Sequence, residues 1–128
     1  MKGIFTALIL VVSMTTSALA QKSTIDDVIV TLRAGNAAEL SKYCDDNVLL
    51  TLPDKSDSYT RAQSQQILRD FFANNGVKGF DLKHKGESPG GHYFIGTLQT
   101  KSGNFRAHVF LQTKGNRELI KEIRFQIL

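Results

Sequence analysis

Few side chains in this 128-residue sequence can carry a reaction, and they are scattered. Asp45 and Asp46 stand together in "YCDDNVLLTLP", between an apparent helix end and an apolar strand. Two close carboxylates push their proton affinities apart, so such a pair could divide general acid and general base work. The plainer reading is a turn that ends the helix, with both side chains in water, because Asp competes for backbone groups and favours turns. We adopt the turn. Asp26 and Asp27 fall in the first turn of a helix, where the dipole favours negative charge, and are structural on the same reasoning.

His84, His92 and His108 are the only histidines. Metal binding needs several ligands to converge, and no two of these share a metal-ligand spacing, so no metal site and no cofactor are expected. His84 has the parity of Phe80 and Leu82 and is expected to face the interior, where it could orient a ligand or act as a base near neutral pH. His92 sits at a turn, and His108 on a mixed strand face. Cys44 is the single cysteine, so no intramolecular disulfide can form. Ala37, Leu40 and Cys44 share one helical face, which predicts a buried structural thiol rather than a nucleophile.

The positioning elements follow a leader. Met1 and Lys2 precede an apolar run from Ile4 to Val12 and then "SMTTSALA", the form of a secretory signal peptide cleaved after Ala20. The run is half the ~20 residues a membrane span needs, so no span is expected after cleavage. The mature chain, residues 21–128, is the size of one domain. It carries 15 basic and 12 acidic residues with no basic cluster, which excludes a nucleic-acid footprint. The expected location is the periplasm or the exterior.

Within that domain helices come first. Ser23-Thr24-Ile25-Asp26 has the form of a capping box, and Ile25, Val28, Ile29 and Leu32 keep helical spacing up to Gly35. Asn36 can cap a short second helix that ends at "CDD". Val48 to Leu52 reads as a strand and "PDKSDS" as a loop. Thr60 opens a third helix with the stripe Ile67, Leu68, Phe71, Phe72, and Gly76 stands at its left-handed end. Four strands follow, near 79–86, 92–100, 104–113 and 118–127, separated by glycine turns.

A two-residue loop at Ser102-Gly103 sets Leu98 opposite Ala107 and Phe94 opposite Leu111. Pairing Val109 with Ile123, Ala107 with Phe125 and Phe105 with Ile127 keeps one sheet face wholly apolar, and a one-residue slip would destroy it. The other face then carries Tyr93, Ile95, Arg106, His108, Phe110 and Arg124, residue types enriched at protein interfaces. Helices on one face of an antiparallel sheet make an α+β fold.

The order of elements, with "LRAGNAAELSKYCDDNVLLTLPDKS" and "QQILRDFFANN", resembles the nuclear transport factor 2-like, or cystatin-like, superfamily. That resemblance implies a cone with a pocket between sheet and helices, and a sheet face that commonly forms the dimer. The first half is similar to ketosteroid isomerase, but the base position falls on Leu52, before Pro53, and the oxyanion-binding tyrosine near Val28. Neither can do that chemistry. "LSKY", "QILRDFF" and "FDLKHKGESPGGHYFIGTLQTKSGNFRAHVFL" resemble a family of small exported bacterial proteins carrying a domain of unknown function.

Three roles are expected to compete. In the first, a non-catalytic exported domain binds a small apolar molecule in a cone lined by Phe71, Phe72, Phe94, Leu98 and Phe105, with His84 as polar anchor, or fills the cone with those side chains. In the second, the mixed face makes an assembly module, such as a homodimer. The alternative is a pocket enzyme of isomerase or dehydratase type using His84.

Overall fold

The computed structural model describes residues 24–128. The leader at residues 1–20, its cleavage point between Ala20 and Gln21, and the cap at Ser23 lie outside the described residues.

Helix α1 (Thr24–Ala34) buries Ile25, Val28, Ile29 and Leu32 on one stripe. Asn36 then caps α2 (Ala37–Ser41), its Oδ1 accepting from the Glu39 amide at 3.1 Å. Strand β1 (Cys44–Leu52) begins two residues after α2, and this overturns two expectations. Cys44 is the first residue of a strand, not part of a helix, and Asp45 and Asp46 lie within that strand instead of a helix-ending turn. The cause is the pairing of Cys44 with Ile120 and the Ile120 amide donating to the Tyr43 carbonyl at 2.7 Å, which extends the chain at once.

The stretch read as a loop is largely strand β2 (Lys55–Thr60), antiparallel to β1, with Leu50 opposite Asp57 and Leu52 opposite Lys55. Helix α3 (Arg61–Asn75) starts with a complete capping box. The Thr60 side chain accepts from the Gln63 amide, and the Gln63 side chain accepts from the Thr60 amide. It ends at Gly76 with φ of 71°, a left-handed cap that glycine enters without a steric penalty. Strands β3 (Val77–Ser88), β4 (Gly91–Thr100), β5 (Gly103–Lys114) and β6 (Arg117–Ile127) complete the chain.

One six-stranded sheet has the order β2-β1-β6-β5-β4-β3, antiparallel throughout except where β1 runs parallel to β6. The predicted β5–β6 register is the observed one: Val109 faces Ile123, Ala107 faces Phe125 and Phe105 faces Ile127. The β4–β5 register is corrected by two residues, with Leu98 opposite Phe105 and Phe94 opposite Val109. The loop residues are Lys101 and Ser102, because Gly103 already pairs with Thr100. A shift of two leaves every side chain on its predicted face, so the apolar side stays whole.

That side is covered by α1 against β3 and α3 against β1. The rings of Phe71 and Phe125 stack at 4.9 Å, and Phe105 meets Phe71 edge-on at 5.1 Å. Phe94, Leu98, Val109, Ile123 and Phe125 have no exposed surface. The concave side of the sheet is thus packed with the chain's own side chains.

Candidate functional site

The uncovered face of the sheet gathers the polar chemistry. Register places it in rows across the strands. One row runs Gly86, Tyr93, Phe110, Glu122, Leu49, and the next runs His84, Ile95, His108, Arg124, Thr51. Thr97, Arg106 and Gln126 form a third. Tyr93, Ile95, His108, Phe110 and Arg124 are half-buried here without a covering layer, and Arg106 is exposed. All six residues predicted for a mixed interface therefore share one continuous surface.

His84 belongs to this surface too, which corrects its expected inward orientation. Leu82 pairs with Gly96 and His84 with Ile95, so Lys83 is an extra residue on β3. A bulge of one residue exchanges the two faces downstream of it. Lys85, now on the covered side, approaches Asp26 of α1 at 4.0 Å, while His84 is exposed with Nε2 3.2 Å from the Tyr93 hydroxyl. The Tyr93 ring lies across Gly86, where a Cβ would collide with it, and meets His108 at 5.7 Å and 74°. Tyr93, His108, Phe110 and Glu122 line an open hollow of about 270 Å³ that also touches Ser88. Burial lowers the proton affinity of His108, and neighbouring Arg124 lowers it further against the opposing pull of Glu122. Arg124 is paired to Glu122 at 2.9 Å, whereas no described residue forms an ion pair with Arg106.

The residues predicted to line a pocket divide differently. Phe72, Phe94 and Leu98 are core. Phe71 and Phe105, themselves nearly buried, form the floor of an open groove of about 370 Å³ beside α3, with Leu52, Ile67 and Ile127 as apolar walls and Asp54, Lys55 and Asp70 at the rim. Leu52 and Val28, the positions that the sequence resemblance sets against an isomerase base and oxyanion donor, are buried aliphatics that can neither accept nor supply a proton. Among the described residues no group of three or more His, Cys, Asp or Glu is placed to hold a metal ion.

The chain matches the model of a domain of unknown function, DUF4783, over residues 25–126. It belongs to the DUF4783 family. A DUF4783 protein from Bacteroides ovatus ATCC 8483 is 35% identical, with a TM-score of 0.76, covering 80% of this chain and 93% of that one. One from Bacteroides uniformis ATCC 8492 is 31% identical, with a TM-score of 0.79 and coverage of 83% and 98%. An NTF2-like protein of unknown function from Cytophaga hutchinsonii ATCC 33406 is 10% identical, with a TM-score of 0.59 over 85% of this chain and 94% of that one, and shares the fold alone. No protein of curated function matches the sequence. This DUF4783 domain therefore has the NTF2-like α+β architecture expected from its element order, and its family carries no assigned activity.

Sequence reasoning missed one feature of this chain outside the mixed face. Asp45 is a buried carboxylate clamped by Lys114 at 2.7 Å and Lys121 at 3.2 Å, with its Oδ1 accepting from the Asp46 amide at 2.8 Å. Lys114, the other contacts and Lys121 overcome the cost of burial and hold the carboxyl down to about 2. Asp46, by contrast, is exposed and paired with Arg61 at 3.1 Å. A bulge on β6, between the pairs Phe110–Glu122 and Leu111–Ile120, leaves Lys121 unpaired with β5 and within reach of Asp45. Nothing in the spacing of "CDD" signals a partner 76 residues away.

Proposed function

We propose that this DUF4783 chain is an exported, non-catalytic domain that works by self-association through its uncovered sheet face. The observation that supports this reading is the block formed by Tyr93, Ile95, His108 and Phe110 in adjacent rows of an otherwise polar surface. Contiguous apolar and aromatic area of this kind marks interaction surfaces. Its flanks carry both signs of charge, Arg106 and Arg124 against Glu122, so the face can be complementary to itself, which a symmetric dimer requires. On the covered side the aromatic side chains of α3, β4, β5 and β6 fill the centre of the sheet, and the groove floored by Phe71 and Phe105 lies open beside α3. Export is supported by the leader-like residues 1–20.

Sedimentation velocity on the protein recovered from the envelope or medium of expressing cells tests the reading. The expected result is a dimer that becomes monomeric on Phe110→Asp with its circular dichroism unchanged, and an N-terminus at Gln21. A monomer at every concentration would refute it.

A second reading rests on the groove floored by Phe71 and Phe105. Its walls suit a small apolar molecule, and native mass spectrometry of the same material would show it as an added mass removed by Ile67→Trp.

A further inference from the structure

The open hollow lined by Tyr93, His108, Phe110 and Glu122 joins aromatic rings to a carboxylate, the composition of a shallow cation-binding cage. Such cages hold guanidinium and ammonium groups. The same face supplies, at Arg106, a guanidinium without an ionic partner among the described residues, two residues along β5 from His108 in one direction, as Phe110 is two residues along in the other. Each lies about 7 Å from His108, at roughly 3.4 Å per residue.

Resting on the self-association proposed above, we infer that two copies pack face to face with β5 running antiparallel over β5, on a two-fold axis near His108, so that Arg106 of each enters the Tyr93–Phe110–Glu122 cage of the other. Rotation about an axis in the interface plane and perpendicular to the strands reverses position along β5 and leaves the column unchanged. It carries Arg106 over Phe110, and the reciprocal contact follows from the same operation. Ile95, opposite His108 on β4, meets its own symmetry mate and supplies apolar contact beside the axis, while Arg124, opposite His108 on β6, comes toward its own mate with its charge offset by Glu122 at 2.9 Å. Glu122, beside Phe110 on β6, is then shared between Arg124 of its own chain and the incoming Arg106, and the hydrogen-bonding capacity of a carboxylate allows both. The sheet twist rotates the two strand sets relative to each other, so contact is tightest along β5 and opens toward β3 and β1.

A charge exchange across the interface tests this arrangement. Arg106→Glu sets two carboxylates against each other at both contacts, and Glu122→Lys sets two cations together. Each variant alone is expected to weaken the dimer about thirtyfold or more. Mixed in equal amounts, the two variants oppose the introduced carboxylate of one chain to the introduced ammonium of the other at one contact, and keep native Arg106 against native Glu122 at the second. Heterodimer should therefore form with near wild-type affinity, read by sedimentation of the mixture with one partner labelled. Circular dichroism and melting of each variant confirm that both fold. A dimeric wild type that tolerates Arg106→Glu, or two monomeric variants that fail to rescue each other, would overturn the docking and leave self-association standing. A monomeric wild type would remove both. Binding of tetramethylammonium by a monomeric wild type would assign the cage to a small organic cation instead.

Discussion

Lys114 Nζ lies 2.7 Å from Oδ2 of Asp45, a carboxylate whose side chain is only 5% exposed, and this contact ties the far end of β5 to the start of β1. Lys121 adds a second tie from β6. The β5–β6 tip and β1, separated by most of the chain, are thereby fixed through one buried charge. Asp45→Asn removes that charge while keeping the shape. Both lysines retain substantial solvent exposure, 53% and 36%, which reduces the loss to about 1–2 kcal/mol, below that for breaking a fully buried pair.

The acid limb of stability checks the same contact. A carboxyl held at about 2 in the folded state, against an ordinary value near 3.9, contributes stability that is complete above the ordinary value. That contribution falls away as pH drops from about 4 through 2. Urea unfolding from pH 7 to pH 2 should therefore show wild type and Asp45→Asn separated by a constant amount above about pH 5, with the gap closing toward pH 2. A gap independent of pH throughout would mean that the carboxylate charge contributes nothing.

Cys44 predicts a kinetic signature. Burial drives its thiol up to about 12, with no exposed surface at the site. At pH 7 the thiolate population is then about a thousandfold below that of an ordinary cysteine, before access is counted. Labelling by iodoacetamide should proceed only through unfolding and should accelerate in parallel with added urea. Stoichiometric labelling of the native protein within minutes would contradict the burial.

The fold was legible wherever one face of an element had to be apolar. Helix α3 and the β5–β6 pairing follow from Phe71, Phe72, Val109, Ile123 and Phe125, because any other phase exposes them. Strand β2 was not legible, since an edge strand paired on one side and almost wholly exposed needs no hydrophobic period; "KSDSYT" reads as a loop and is held by the β1 ladder. The orientation of His84 failed for a different reason. Alternation carries parity along a strand, but the bulge at Lys83 resets it and has no local mark in "DLKHK". The mixed face was readable as a set of residues, and the packing of the Tyr93 ring over Gly86 and edge-on to His108 was not.

Phe125 joins the layers, stacking on Phe71 and meeting Phe72 edge-on at 6.0 Å. Phe125→Ala removes a fully buried ring from a site framed by two helical aromatics, and the expected cost is about 3–5 kcal/mol. Phe110→Ala removes a half-buried ring from the opposite face of the sheet and should cost the isolated subunit far less. Equilibrium unfolding of both variants at a concentration below dimer formation separates core from surface. Equal losses would mean that Phe110 supports the subunit itself.

His108 gives the last prediction, and its sign follows from its surroundings. Tyr93, Ile95 and Phe110 crowd and bury it, Arg124 opposes added positive charge, and Glu122 favours it. The folded state therefore prefers the neutral ring. A depressed histidine contributes stability that is complete above its ordinary value near 6.5 and is lost as pH falls below that through the lower folded value. Thermal midpoints measured between pH 8 and pH 5 should drop more steeply for wild type than for His108→Gln, which cannot titrate. If the sheet faces are also docked with His108 near the axis, two rings gain charge together and each faces the other's Arg124 row, so the dimer should dissociate at higher pH than the subunit unfolds. Sedimentation at pH 5.5 and pH 7.5 reads that order directly. A wild-type dimer equally tight at both values, with midpoints that track those of His108→Gln, would show that protonation of this ring is coupled to neither fold nor assembly.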